Sequence, residues 1–137
     1  MVKDVYHDAV KNALVKDGWT ITHDPLLIRF EEDRAYIDLG AERTIAAEKG
    51  ERKIAVEVKS FIGVSRLDDL EKAVGQYLLY RSWLSRSDAE RVLYLAVSDA
   101  AQRRVFERKS ARVLLEDYGI HLIVVNVESE EIVSWTS

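Results

Sequence analysis

The sequence predicts one α/β sandwich, a mixed β-sheet with helices on its faces, and three observations carry that expectation. Short alternating apolar segments follow one another in the first half. Helix-period and strand-period segments alternate in the second half, as they do when strands are joined by helical crossovers. No repeat, low-complexity tract or linker interrupts the 137 residues, and the only proline is Pro25, so residues 1–137 are read as a single domain.

Each element has its own signal. Val2 to Asp17 reads as a helix because Val2, Val5, Ala9, Val10, Ala13 and Leu14 recur at three- and four-residue spacing before Gly18, a natural stop. Trp19 to Thr22 reads as extended, and Asp24-Pro25 as a turn, since a residue before proline is pushed out of the helical region. Leu26 to Phe30 and Ala35 to Leu39 read as strands around the charged turn 31–34. Arg43 to Glu48 and Lys53 to Ser60 read as a second pair around Gly50.

Ser65-Arg66-Leu67-Asp68 resembles a capping box and opens a long helix to about Ser85, with Leu67, Leu70, Val74, Tyr77 and Leu84 as its apolar stripe. Arg91 to Val97 is a strongly apolar strand. A broken helix is expected from about Ala100 to Tyr118, ending at Gly119. Ile120 to Val127 and Ile132 to Trp135 are the last two strands. The final run is too short to bury itself and is expected at a sheet edge or an interface, hence in a homodimer or a hetero-complex.

Composition sets limits on function. Apolar and charged fractions of 47% and 32% are those of a globular protein. Without cysteine there is neither a disulfide nor a thiolate metal site. No stretch approaches the roughly 18 apolar residues of a membrane span, and the charged start at Lys3 and Asp4 is unlike a signal peptide. A cytoplasmic protein is expected. The formal charge of −4 opposes long-range attraction to nucleic acid, which is driven by lysine and arginine, unless positive charge is gathered on one face.

The chemistry concentrates in Ile54-Ala55-Val56-Glu57-Val58-Lys59. Side chains alternate across a strand, so Glu57 and Lys59 share one face while Ile54, Val56 and Val58 take the other. Asp38 lies near the end of an earlier segment, where a neighbouring strand could bring it beside Glu57. Two carboxylates in an apolar setting repel unless a cation joins them, and magnesium takes oxygen ligands of this kind. Lysine two residues beyond the glutamate can steady a metal-bound water or a phosphate oxygen. On the next helix Lys72, Gln76 and Tyr80 form a polar line at four-residue spacing. Residue by residue the bland readings stand: a turn residue for Asp38, an exposed helix position for Gln76, a solvated strand face for Glu57 and Lys59.

In this order, Asp38, Glu57-Val58-Lys59 and Gln76 resemble the signature of the PD-(D/E)XK nuclease superfamily. The resemblance implies a three-layer α/β/α sandwich, restriction-endonuclease-like, with a mixed central sheet. It implies magnesium, or manganese, held by Asp38, Glu57 and the main-chain carbonyl of Val58, with Lys59 assisting the attacking water. Asp8 corresponds by position to an acid that some members carry on the first helix, and equally suits a surface role.

A closer resemblance runs along nearly the whole chain. His7-Asp8-Ala9-Val10, Gly18-Trp19, Thr22-His23-Asp24-Pro25, Ile37-Asp38-Leu39-Gly40-Ala41-Glu42, Val56-Glu57-Val58-Lys59-Ser60-Phe61 and Gly75-Gln76-Tyr77 are similar, in order and spacing, to the XisH family, the fdxN element excision controlling factors of cyanobacteria. That resemblance implies a role in programmed DNA rearrangement, beside a site-specific recombinase and a small partner protein, XisI.

Other motifs carry less. His7, His23 and His121 are too scattered for a local zinc motif, and His23 suits a turn. There is no glycine-rich phosphate loop and no nucleophile-elbow serine. Trp19, Trp83 and Trp135 suit core or interface positions, and the arginines of the second half suit solvated helix faces. Two functions follow as expectations: a magnesium-dependent endonuclease or DNA-processing enzyme, and a catalytically inactive nuclease-fold module that controls a recombinase through protein contacts.

Overall fold

Apolar residues at helical spacing make Val2–Lys16 an amphipathic helix, α1, which buries Ala9, Val10, Ala13 and Leu14. Val5, expected in that stripe, is 55% exposed. Gly18, at φ 93°, then turns the chain into β1, Thr20–His23. The computed structural model describes residues 2–31, 33–35 and 44–136.

A hairpin of β2 (Ile28–Phe30) and β3 (Asp33–Ala35) leaves the main sheet and forms a separate two-stranded one. The expected turn at 31–34 is therefore shorter, since Asp33 and Arg34 already pair with β2. The segment expected as a strand at 35–39 lies mostly outside the described residues. Leu26 donates its amide to the carbonyl of Thr44 at 2.8 Å, tying the hairpin to the main sheet.

The six-stranded main sheet has the order β1-β4-β5-β6-β7-β8. β4 (Thr44–Lys49) and β5 (Arg52–Val58) form the antiparallel pair expected around Gly50. β5, β6 (Arg91–Ser98) and β7 (Leu122–Asn126) run parallel, joined by helical crossovers, and β8 (Glu131–Thr136) returns antiparallel along one edge. Strands buried on both faces read as continuous apolar runs, which is why Leu93–Val97 and Leu122–Val125 are legible in the sequence.

The alternation of β5 divides two cores. Ile54, Val56 and Val58 pack with Val10, Leu14 and Trp19 on the α1 face. Ala55 faces the opposite core, built from helix α2 (Arg66–Ser87) and helix α4 (Lys109–Tyr118). Helices thus cover both faces of a mixed sheet.

Helix α2 starts as its capping box indicates: Ser65 accepts a hydrogen bond from the amide of Asp68 at 3.1 Å. Its buried stripe is Leu70, Ala73, Tyr77 and Leu84, whereas Leu67 is 61% exposed. The expected broken helix is resolved into α3 (Asp99–Ala101), a π-helical segment (Gln102–Phe106) and α4, which ends at Gly119 in the left-handed region that glycine favours.

Tyr77, fully buried, links three elements. Its hydroxyl on α2 donates to the carbonyl of Leu93 on β6 at 2.8 Å and accepts from the amide of His121 before β7 at 3.1 Å.

Candidate functional site

The candidate site lies where β5 ends and the chain turns toward α2, at the carboxyl end of the parallel strands, where open α/β sheets commonly bind ligands. Glu57 is 2% exposed on the α2 face, opposite Thr44 of β4 and beside Leu95 of β6. Strand parity fixes that orientation: one residue earlier or later, the carboxylate would face α1. The hydroxyls of Tyr77 and Tyr80 are held above their usual pKa, first by burial; the nearby negative charge of Glu57 adds to the shift in both. Glu57 therefore points at the middle of α2.

Lys59 continues the parallel ladder one step past β5, its amide donating to the carbonyl of Ala96 at 3.0 Å. Its ammonium group, half-buried, donates to the side-chain carbonyl of Gln76 on α2. The polar line expected at four-residue spacing is present in the fold: Lys72 is exposed and pairs with Asp68 at 3.1 Å, Gln76 meets Lys59, and Tyr80 senses Glu57. Asp38 lies outside the described residues. Among the described residues, no group of three or more histidines and carboxylates stands together as a metal cluster.

A cleft of about 240 Å³ opens beside Lys59, lined also by Ser60, Phe61, Gly63, Asp69 and Lys72. Its floor is a tightly held loop. Phe61 sits at φ 54°, a conformation that usually costs a non-glycine residue about 1 kcal/mol or more. Burial of the ring edge-on to Phe106, centroids 5.0 Å apart, offsets that cost. Gly63 donates its amide to Asp69 at 2.9 Å, and a Cβ at that position would lie 2.6 Å from the same carboxylate, so a larger residue there would displace Asp69. From the π-helical segment, Arg104 donates to the carbonyls of Phe61 at 3.0 Å and Gly63 at 3.3 Å. Sequence reasoning missed this clamp, because its parts are more than 40 residues apart.

It also missed a cluster at the end of β1. His7 Nε2 lies 2.9 Å from one oxygen of Asp24 and 3.1 Å from the other, to which it hydrogen-bonds, and Lys11 donates to Asp24 at 3.0 Å. Burial alone would raise the pKa of Asp24, but the hydrogen bonds and positive charges of His7 and Lys11 outweigh it and hold the carboxyl below its ordinary range. The i, i+4 spacing of His7 and Lys11 was the available signal. Asp8 is exposed on α1, and exposed His23 lies 3.0 Å from the hydroxyl of Thr22.

The tryptophans and arginines follow the structural readings in the main. Trp19 is buried and stacks obliquely with Trp135 at 5.7 Å, while Trp83 packs against the α2 core. Arg81 closes the end of α4 by donating to the carbonyls of Tyr118 and Gly119. Arg91 departs from the expected solvated face. It is buried, bonding Asp88 at 3.0 Å and the carbonyl of Ile54 at 2.9 Å.

Fold and site together define a mixed-sheet α/β domain with a buried glutamate, a lysine and a helical glutamine gathered at the end of a parallel strand. The chain belongs to the XisH family, whose model matches residues 1–133. It is similar to the crystal structure of an XisH family protein from Nostoc punctiforme, at 38% identity over 98% of this chain and 100% of that one, with a TM-score of 0.90. It is equally similar to an fdxN element excision controlling factor protein from Anabaena variabilis, at 38% identity, 98% and 99% coverage and a TM-score of 0.89. Among curated proteins no match was found. No described helix is long and apolar enough to cross a membrane.

Proposed function

We propose that the chain is an excision controlling factor for programmed DNA element rearrangement, carrying a nuclease-type fold and a magnesium-dependent phosphodiesterase site. The name of the Anabaena variabilis relative supports the first part. One observation carries the second: Glu57, a carboxylate 2% exposed, shares the α2 face with a lysine held by Gln76 at the mouth of a cleft.

The donors suit a hard cation. Asp38, Glu57 and the carbonyl of Val58 are oxygen ligands of the type magnesium or manganese prefers. Because the amide of Lys59 turns toward β6, strand alternation turns the Val58 carbonyl the other way, toward β4. The metal would supply Lewis acidity and an activated water at that oxygen cluster. Gln76 restrains the ammonium of Lys59, which then orients a water or a phosphate oxygen of DNA.

A second reading keeps the fold without the cleavage: an interaction module that controls a site-specific recombinase through protein contacts, with a small partner of the XisI type. The net charge of −4 favours it, since DNA gains little from an acidic surface. Calorimetry with magnesium and manganese, together with cleavage assays on supercoiled, linear, flapped and branched DNA, separates the two. On the nuclease reading Lys59→Ala keeps metal binding and loses cleavage, whereas Asp38→Ala loses both. Wild-type protein that binds neither metal and cuts none of these DNAs leaves the interaction module.

A further inference from the structure

A second groove lies on the other side of the loop that floors the Lys59 cleft. It encloses about 530 Å³ between the start of α2 and the π-helical segment, and is lined by Val64, Arg66, Leu67, Leu70, Val105 and Arg108. We propose that this groove docks an acidic, apolar-faced segment of a protein partner.

Two observations on the groove favour a protein. Its rim is unusually apolar for a surface: Val64 is fully exposed and Leu67 61% exposed, beside Ile62 at 51%. Contiguous exposed apolar side chains over an open groove mark interaction sites more often than isolated ones do. Its floor, Leu70 and Val105, belongs to the α2 core, so an inserted side chain meets packed apolar atoms.

Charge then selects the class of partner. Arg66 and Arg108 line the groove, and Lys109 and Arg112 follow on the first turn of α4; all four are exposed, and among the described residues their side chains make no ion pair or hydrogen bond. Four such cations gathered here stand out in a chain whose net charge is −4. No side chain caps the start of α4, and its first turn carries no acid, so the helix dipole adds to the same positive field. A segment alternating apolar residues with carboxylates satisfies both features. Nucleic acid satisfies only the charge and leaves Val64 and Leu67 uncovered. A second copy would have to bring an acidic apolar face of its own.

The position has a consequence. Residues 59–63 line the cleft and residues 64–67 line the groove, so an occupant sits next in sequence to the segment that Arg104 holds at Phe61 and Gly63.

The experiment is fluorescence anisotropy on the full chain with a labelled synthetic helical peptide of about 16 residues, leucine at core spacing and glutamate elsewhere. A lysine counterpart and a short DNA duplex are run beside it, and sedimentation velocity reports self-association. Leu67→Asp and Arg108→Glu change exposed residues, and thermal melts verify their folding. Binding of the acidic peptide, screened by salt and weakened about tenfold or more by each variant, is the expected result. Equal affinity for both peptides, or for neither, overturns the proposal. Duplex binding lost in Arg108→Glu but kept in Leu67→Asp overturns it in favour of a nucleic-acid contact. Self-association abolished by Leu67→Asp overturns it in favour of a second copy.

Discussion

The ammonium of Lys59, one residue past the end of β5, donates to the side-chain carbonyl of Gln76 on α2, closing a bridge between the carboxyl end of a parallel strand and the crossover helix that follows it. Lysine carries donors and no acceptor, so the bond to the carbonyl of Gln76 fixes where its ammonium group points. Gln76→Ala should therefore cost little stability, about 1 kcal/mol for a half-buried charged bond. On the nuclease reading it should lower cleavage by about tenfold or more. Gln76→Glu tests the geometry, since it keeps the acceptor. Urea melts and cleavage rates measured on both variants distinguish loss of orientation from loss of fold.

The contact between Gly63 and Asp69 is a second test. Gly63→Ala places a methyl group against the Asp69 carboxylate and should destabilise by about 1–3 kcal/mol, as overpacking does. Asp69→Ala removes both the obstacle and the hydrogen bond. The double variant should then be less destabilised than the sum of the singles, and a double-mutant cycle in urea measures that coupling.

Tyr77→Phe removes one hydroxyl but affects β6 and the entry to β7, leaving the Leu93 carbonyl and the His121 amide without it. A loss of about 1–3 kcal/mol is expected, appropriate to buried backbone groups deprived of a partner. Hydrogen exchange at His121 should accelerate, because that amide gives its hydrogen bond to the removed oxygen.

Asp24 makes stability depend on pH in a definite direction. Its folded pKa lies below the ordinary 3.8, so the contribution is fully present above that value and is lost as pH falls through the depressed one. Asp24→Asn should lower the melting temperature at neutral pH and flatten its decline in acid. Thermal melts from pH 7 down to about 2.5 would show parallel curves if the cluster contributed nothing.

Among the described residues β8 is the last strand of the main sheet, with no strand on its outer side and Val133 56% exposed. Such an edge is a template for strand addition. The chain is expected to assemble with a second copy or a small partner along it, and Val133→Lys should shift light-scattering mass toward the monomer or weaken partner binding. A mass that stays monomeric at high concentration, with no partner bound, counts against this edge.

What the sequence determined by itself was local and periodic. The alternation of Ile54 to Lys59 set which side chains share a face. Ser65 and Gly119 marked where helices start and stop. The apolar runs at 93–97 and 122–125 announced strands covered on both sides. Each rests on interactions within a few residues, where spacing alone fixes geometry. The XisH resemblance, read from short strings in order, holds for the same reason across residues 1–133.

Tertiary structure decided what distance along the chain hides. It put the β2–β3 hairpin outside the main sheet, exposed Leu67 while burying Ala73, and joined Arg104 to Phe61 across 43 residues. It buried Arg91 and brought His7, Lys11 and Asp24 together. These outcomes depend on which surfaces meet once the sheet is covered. A side chain's local pattern does not encode what will lie on top of it, and only the packed chain settles whether a charge faces water or a partner.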